Sequence, residues 1–299
     1  MSIVTHQIKI IPIPINLIKI KINYLIGKII FKAEIIMGNG NMSDNTEKKE
    51  TFKDELKRIF SLSGDSASNE EIRTRLLDGG QVTGTNMCVL VCAMVIASVG
   101  LNVSSTAVII GAMLISPLMG SILASAYASI SSDYPLLRKH VTGFAIQIAI
   151  SVTAASLYFF FSPVKEPTVE LLARTSPNFF DVLIAFFGGL AGIIGQTRQD
   201  KTNTVIPGVA IATALMPPLC TCGYSIANGR WDMLLGAGYL FLINTYFIFM
   251  SAGIILSVLK IPKMRELTEK EWKFRRFRMI VNTIIIIIPS IMAVYFMMQ

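Results

Sequence analysis

The most constraining feature of this chain is a long stretch without any charged residue. From Met87 to Ser132 the sequence contains no Lys, Arg, Asp or Glu, although roughly 20 apolar residues already suffice for one helix to cross a bilayer. A continuous apolar run of this length is typical of membrane-spanning helices, whose backbone groups are satisfied internally. The whole chain is 53% hydrophobic and 15% charged, whereas soluble domains carry about 25% charged residues. The sequence therefore predicts an all-α integral membrane protein.

Seven apolar runs predict a multi-pass topology with a cytoplasmic N-terminus. Lys and Arg are concentrated in the loops after the second, fourth and sixth runs, with eight of them between Lys260 and Arg278. Positively charged loops face the cytoplasm, so we expect these loops inside, in the plasma (inner) membrane of a prokaryote. The net charge of +8 then indicates membrane orientation, and contact of the sixth loop with anionic lipid, rather than nucleic-acid binding. The predicted spans are 87–101, 104–130, 139–161, 180–197, 203–227, 233–259 and 280–298.

Two segments precede the first span. Residues 1–42 are rich in Ile, Lys, Asn and Pro and are predicted to be a non-native or disordered leader. Residues 43–80 are predicted to be a cytoplasmic amphipathic segment, because four apolar residues follow helical spacing. We expect this segment to lie on the membrane surface or on the bundle, with partner binding as the alternative. The four residues are Phe52, Leu56, Ile59 and Phe60.

Two further segments follow the sixth span. Residues 260–279 are predicted to form a basic cytoplasmic linker helix, in which Thr268 and Glu271 have the spacing of a capping box. Residues 280–299 are predicted to be a terminal transmembrane helix.

Two interrupted apolar segments resemble each other at a spacing of 97 residues. Residues 108–127 align without a gap on residues 205–224, with identities at Val, Ile, Gly, Leu, Met and Tyr. The same offset carries the first three spans onto the next three, which predicts repeats at 81–162 and 178–259. Because three spans reverse the direction of the following unit, the predicted fold is a helical bundle of two three-helix inverted repeats with Pro/Gly-interrupted second helices, plus one C-terminal helix.

The interruptions predict a binding site near the middle of the membrane. Proline lacks an N–H and clashes with the carbonyl four residues earlier, and backbone groups freed in this way must meet protein, water or a ligand. The offset also pairs Gln147 with Asn244, the only side-chain amides of the third and sixth spans. The predicted substrate- or ion-binding residues are Gly111, Ser116, Pro117, Gln147, Gly208, Thr213, Pro217, Pro218 and Asn244.

The absence of ionisable residues deep in the predicted spans disfavours a proton relay, unless a carboxylate at a span end reaches inward. These carboxylates are Asp133, Asp181, Asp200 and Asp232. Coordination by uncharged side chains and backbone groups fits a sodium ion, an anion or an uncharged solute.

We expect no enzymatic activity and no catalytic residue, because Ser116 has no nearby His or Lys base. We also expect no metal site and no cofactor. Gly188, Gly189, Gly192 and Gly195 are expected to permit close helix packing, within the bundle or between protomers, with a pore lined by these glycines as the alternative.

Four motifs carry a resemblance to a known family. They are IASVGLN at 96–102, AVIIGAMLISPLM at 107–119, GVAIATALMPPL at 208–219 and YLFLIN at 239–244. Over about residues 80–258 the chain resembles the hydrophobic bacterial and archaeal membrane family catalogued as domain of unknown function 389. That family lacks an established activity, so the resemblance implies membrane identity and leaves function open. Its members typically have Gly-Pro where this chain has Gly120-Ser121, which implies a milder break in the second span.

Two functions remain open at this point. The repeat favours a transporter or channel for an ion or small solute, with a midplane site between two interrupted helices. The alternative is a membrane scaffold or sensor that acts through its cytoplasmic segments. The sequence leaves a homo-oligomeric assembly open.

Overall fold

In a computed structural model of the chain, the described residues are 66–199, 205–264 and all of 268–288 except 272, 275, 276, 278, 279 and 287. For 205–214 only the backbone is described. The predicted leader, the four apolar residues of the amphipathic segment and most of the terminal span therefore lie outside the described residues.

The described residues form an all-helical bundle without a strand. Side-chain caps begin three of the long helices, since Thr83, Asp133 and Asn178 each accept a bond from a backbone N–H of the following turn. The helices are α1 (Asn69–Gly79), α2 (Gly84–Asn102), α3 (Thr106–Ile115), α4 (Leu118–Ile130), α5 (Tyr134–Phe161), α6 (Val169–Leu172), α7 (Phe179–Thr197), α8 (Val205–Ala227) and α9 (Trp231–Val258).

The length and composition of these helices fit a multi-pass membrane protein. Among the described residues, α2, α5, α7 and α9 are each long and apolar enough to cross a bilayer, with 19, 28, 19 and 28 residues. Helices α3 and α4 meet the same criterion together and are bent by 47° at their junction. The described part of the chain therefore contains four such helices, or five if the bent pair is one span.

The predicted break in the second span is confirmed and falls at Ser116 and Pro117. Ser116 is extended (φ −76°, ψ 128°), as expected for a residue that precedes proline. Pro117 then begins α4 without an N–H to continue the ladder of α3. The break is thus a direct consequence of one proline.

The corresponding break in the second half was expected at Pro217 and Pro218, and that expectation is wrong. Helix α8 runs without interruption from Val205 to Ala227 with both prolines inside it. Every residue from Leu215 to Ser225 is buried, so packing on neighbouring helices holds this stretch helical despite two missing hydrogen bonds.

The contacts between helices define their directions. Ile130 is the last residue of α4 and lies just before α5 begins. A Cβ on Gly253, near the end of α9, would lie 3.7 Å from Ile130, so the end of α9 lies close to the beginning of α5. A Cβ on Gly223, near the end of α8, would lie 2.5 Å from Ala155, near the end of α5. Helices α8 and α5 therefore end at the same end of the bundle. Since α9 begins just after α8 ends, α9 begins at this end, and it finishes at the other end, where α5 begins. Helices α5 and α9 are therefore antiparallel.

The offset of 97 residues recurs in the helix boundaries. Helices α5 and α9 each contain 28 residues. Their first residues are 97 positions apart in the sequence, and so are their last residues. Helices α4 and α8 end at Ile130 and Ala227, again at the same offset.

The corners that follow α4 and α8 repeat the same backbone geometry. Ser132 and Gly229 both adopt a left-handed conformation, with φ of 60° and 66°. Each corner is closed by a hydrogen bond five residues back. In the first corner the N–H of Asp133 bonds to the carbonyl of Ala128 (3.0 Å), and in the second the N–H of Arg230 bonds to that of Ser225 (2.9 Å).

Helix α1 packs on the bundle through α4 and α7. Its apolar residues Ile72 and Leu76 are buried, and the N–H of Ala67 bonds to the carbonyl of Thr197 at the end of α7 (2.8 Å). The described part of the predicted amphipathic segment thus covers the bundle. In the linker, the backbone N–H of Thr268 bonds to the Glu271 carboxylate (3.0 Å), which confirms one half of the predicted capping box.

Candidate functional site: a cavity between α3, α7, α8 and α9

The two predicted amides occupy equivalent places in their helices. Gln147 is the fourteenth of the 28 residues of α5, and Asn244 is the fourteenth of the 28 residues of α9. Helices of this length measure about 42 Å at 1.5 Å per residue, against a hydrocarbon core of about 30 Å. Both amides therefore lie near the middle of a membrane that α5 and α9 cross.

Asn244 is buried (4% exposed) and lines a cavity of about 240 Å³. The cavity lies between α3, α7, α8 and α9, and α6 contributes to its mouth. Since one water molecule occupies about 30 Å³ of liquid volume, the space corresponds to about eight waters or one small solute. Its walls are mostly apolar, with polar groups at the two ends. The lining residues are Thr106, Ile109, Ile110, Met113, Glu170, Arg174, Asp181, Ile184, Pro218, Leu240 and Asn244.

Three charged residues surround the mouth of the cavity. Glu170 and Arg174 form an ion pair across one helical turn (3.8 Å), and the Thr106 hydroxyl donates to Glu170 at 3.3 Å. Asp181 accepts the backbone N–H of Asn178 at 2.8 Å, because it is the third residue of the capping box that begins α7. With one cation and two carboxylates, the mouth carries one net negative charge.

Gln147 occupies a sealed environment. Its side chain is fully buried, and neither its Nε2 nor its Oε1 has a hydrogen-bond partner among the described residues. The Ser151 hydroxyl one turn later is likewise buried without a described partner. A buried polar group that lacks a partner destabilises the fold by about 1–3 kcal/mol. Such groups commonly mark a functional constraint or an ordered molecule.

The break of the second span lies at the depth of Gln147. Pro117 precedes the corner residue Ser132 by 15 positions and Gln147 follows it by 15 positions, on antiparallel helices that pack together. Both residues are thus about 22 Å from the corner at 1.5 Å per residue. Ser116 and Pro117 are half-buried and do not line the α3–α9 cavity.

The structure brings together only part of the predicted site. Pro218 and Asn244 line the same cavity, and Pro217 is buried next to it in sequence. Gly111 faces open space, because a Cβ there would have no neighbour within 4 Å, so its place in a protein-lined site is not supported. Gly208 and Thr213 lie in α8, in the part where side chains are outside the described residues.

Several lining residues were not predicted from the sequence. Glu170 lies in the short helix α6 and Arg174 follows that helix, and their spacing of four residues was the available signal for a helical turn with a paired charge. Met113 and Ile184 have ordinary apolar side chains in apolar helices, and no sequence pattern singles them out. Asp181 was predicted to matter only if it reached inward, and it does line the cavity.

Close packing explains the glycine-rich face of α7. A Cβ on Gly189 would lie 2.0 Å from the Ser251 hydroxyl and 2.9 Å from the backbone of Ile248 in α9. Gly192 and Gly195 are also buried. These glycines allow α7 to approach α9, which supports the interpretation of close packing within the bundle.

Comparison with known proteins supports the family resemblance. Uncharacterized protein MJ0678 of Methanocaldococcus jannaschii is 27% identical to this chain over 196 residues. The match covers 66% of this chain and 61% of the relative, so the chain spans less than two thirds of that protein's length. No solved structure matches. Residues 113–250 match the family model of the domain of unknown function DUF389, and the resemblance carried by the sequence motifs is thereby confirmed.

Proposed function

We propose that this protein is a transporter or channel for a small ion or solute, which binds near the membrane midplane. The observation that carries the proposal is the cavity of about 240 Å³ that extends from a charged mouth to Pro218 and Asn244. Membrane-depth cavities that end at irregular or proline-containing helices are typical of solute pathways. The net negative mouth should favour entry of cations or zwitterions over anions.

An inverted repeat is part of this proposal. It is supported by the shared offset of 97 residues in helix boundaries and corners, and by the antiparallel directions of α5 and α9. It is also supported by the ring stacking of Phe144 on Phe241, with centroids 6.0 Å apart. These two residues are themselves 97 positions apart, and residues on a two-fold axis contact their own equivalents.

The two halves then represent two states of one mechanism. In the second half Asn244, which is 4% exposed, lines a cavity, whereas in the first half the equivalent Gln147 is fully buried. We infer that transport exchanges these environments, so that Gln147 lines a cavity at the opposite end when Asn244 is closed off. Rocking of one repeat against the other is the usual form of alternating access.

We also propose an orientation in the plasma membrane of a prokaryote with the N-terminus inside. The placement of Lys and Arg supports it. In this orientation the cavity opens outward. Its mouth lies at the end of the bundle where α7 begins, and this end follows the third span, so it faces the outside of the cell. The basic linker would meet anionic lipid on the inner surface.

The test is flux in proteoliposomes that contain the purified full-length chain. We expect uptake of at least one member of a panel of small cations, zwitterions and neutral solutes, and we expect Asn244→Leu to reduce it by about tenfold or more. The matched control is Leu242→Ala, two residues away on the lipid-exposed side of α9, which should leave flux unchanged. Absence of flux for every compound, or equal flux in both variants, would contradict the proposal.

The scaffold or sensor alternative has less support. Helix α1 uses its apolar residues on the bundle itself, and Gly79 contacts Gly120 of α4. Loss of a stable partner after deletion of residues 43–78, with flux intact, would favour this alternative.

A further inference from the structure

A second groove lies at the opposite end of the bundle from the mouth of the cavity. It has a volume of about 530 Å³ and lies between the loop that follows α1 and the first three turns of α5. Gly143 shapes it, because a Cβ there would lie 2.6 Å from Val82. The absence of a side chain at Gly143 thus lets the loop approach α5 closely.

The outer part of this groove is positively charged. Arg138 and Lys139 line it, both are exposed, and neither forms an ion pair with a described residue. No carboxylate of the described residues lines the groove. The neighbouring Asp78 and Asp133 are bonded elsewhere, to the Gln81 side chain (2.9 Å) and to the backbone N–H of Leu136 (3.0 Å). The N-terminus of α5 adds a favourable dipole for an anion.

His140 also lines this groove and holds the loop after α1 against α5. Its Nδ1 lies 3.2 Å from the carbonyl oxygen of Gly80, and since a carbonyl can only accept, Nδ1 donates this bond. The residue is 2% exposed, so a ligand in the groove meets the exposed side chains of Arg138 and Lys139 rather than the His140 ring.

The inner part of the groove is apolar and reaches hydrocarbon depth. Val82 and Ile146 line it with exposed fractions of 40% and 46%. Ile146 follows Arg138 by eight residues, which places it about 12 Å deeper at 1.5 Å per residue. Helix α5 exceeds the hydrocarbon thickness by about 12 Å in total, so Arg138 lies near the headgroup boundary.

We propose that this groove binds one anionic phospholipid. Its phosphate lies between Arg138 and Lys139, the two exposed cations of the groove. An acyl chain follows Val82 and Ile146 toward the membrane interior. This site is separate from the basic linker at 260–279, and it does not depend on transport.

Native mass spectrometry of the full-length chain tests the charge part of the proposal. The protein is purified with equimolar phosphatidylglycerol and phosphatidylcholine, and the ratio of the retained lipids is measured. We expect the wild type to prefer phosphatidylglycerol, and the double variant R138Q/K139Q to lower the ratio about tenfold. The double variant K165Q/R230Q removes the same charge at the opposite end of the bundle, where α5 and α8 end, and should keep the wild-type ratio. No preference in the wild type, or equal loss in both double variants, overturns the proposal.

Discussion

The two halves of the bundle share their boundaries and corners but differ at the membrane midplane. In the first half the second span is broken at Pro117 and bent by 47°, and Gln147 is sealed without a described partner. In the second half α8 is continuous through Pro217 and Pro218, and Asn244 lines a cavity. Similar sequences thus adopt two arrangements within one chain. Prolines permit a break, and packing decides whether the break forms.

The largest expected effect concerns a contact that only the first half makes with α1. A Cβ on Gly120 would lie 1.7 Å from the carbonyl oxygen of Gly79, and backbone atoms cannot move aside as a flexible side chain does. We expect Gly120→Ala to destabilise the protein by about 3 kcal/mol or more, measured by thermal unfolding in detergent. The control is Gly111→Ala in the same span, where a Cβ meets open space and stability should stay equal or rise by up to about 1 kcal/mol. Equal loss in both variants would show that the close approach is not real.

The difference between the two amides predicts different access to water-soluble reagents. In a chain whose four cysteines (Cys88, Cys92, Cys220 and Cys222) are replaced by Ala, we expect Asn244→Cys to react with an impermeant thiol reagent. The rate should exceed that of Gln147→Cys by about tenfold, because a thiol must be solvent-accessible to react. The reagent should act from the side on which Asp181 lies. Equal rates, or faster reaction at position 147 from that side, would contradict the difference between the halves.

Removal of the unpaired amide should separate stability from transport. We expect Gln147→Leu to stabilise the described state by about 1–2 kcal/mol, because it removes a buried polar group without a described partner. Transport should fall, since the other state would lose its polar group. Thermal unfolding and flux are measured on the same preparation, with Asn244→Leu as the companion variant that gains no stability. Unchanged flux in Gln147→Leu would remove this residue from the proposed site.

The corners give the smallest expected effect and a direct comparison of the halves. Ser132 and Gly229 occupy equivalent left-handed positions, but only glycine adopts this conformation without strain. We expect Gly229→Ala to destabilise the protein by about 1–2 kcal/mol and Ser132→Gly to stabilise it by up to about 1 kcal/mol. Chemical denaturation of the two variants measures both changes. Shifts of the same sign would indicate that the corners are not equivalent in solution.

Much of the fold could be predicted from the chain alone, because hydrophobicity and proline act locally. The charge-free run and the apolar segments predicted the membrane helices, and Pro117 predicted the bend. The continuity of α8 could not be predicted, since it depends on the burial of residues 215–225 by helices distant in sequence. The cavity mouth was missed for the same reason. Glu170 belongs to the four-residue helix α6, and only packing brings this short helix over α3 and α7.

By itself, the sequence determined that this protein is helical and resides in a membrane, that its two halves are related by 97 residues, and that one amide lies at the midpoint of each long helix. These properties follow from composition and spacing, which act over one or two turns. Only the tertiary structure decided that Asn244 lines a cavity while Gln147 is sealed. That difference arises because the helices of the two halves pack differently around equivalent residues, and packing depends on contacts that no local pattern contains.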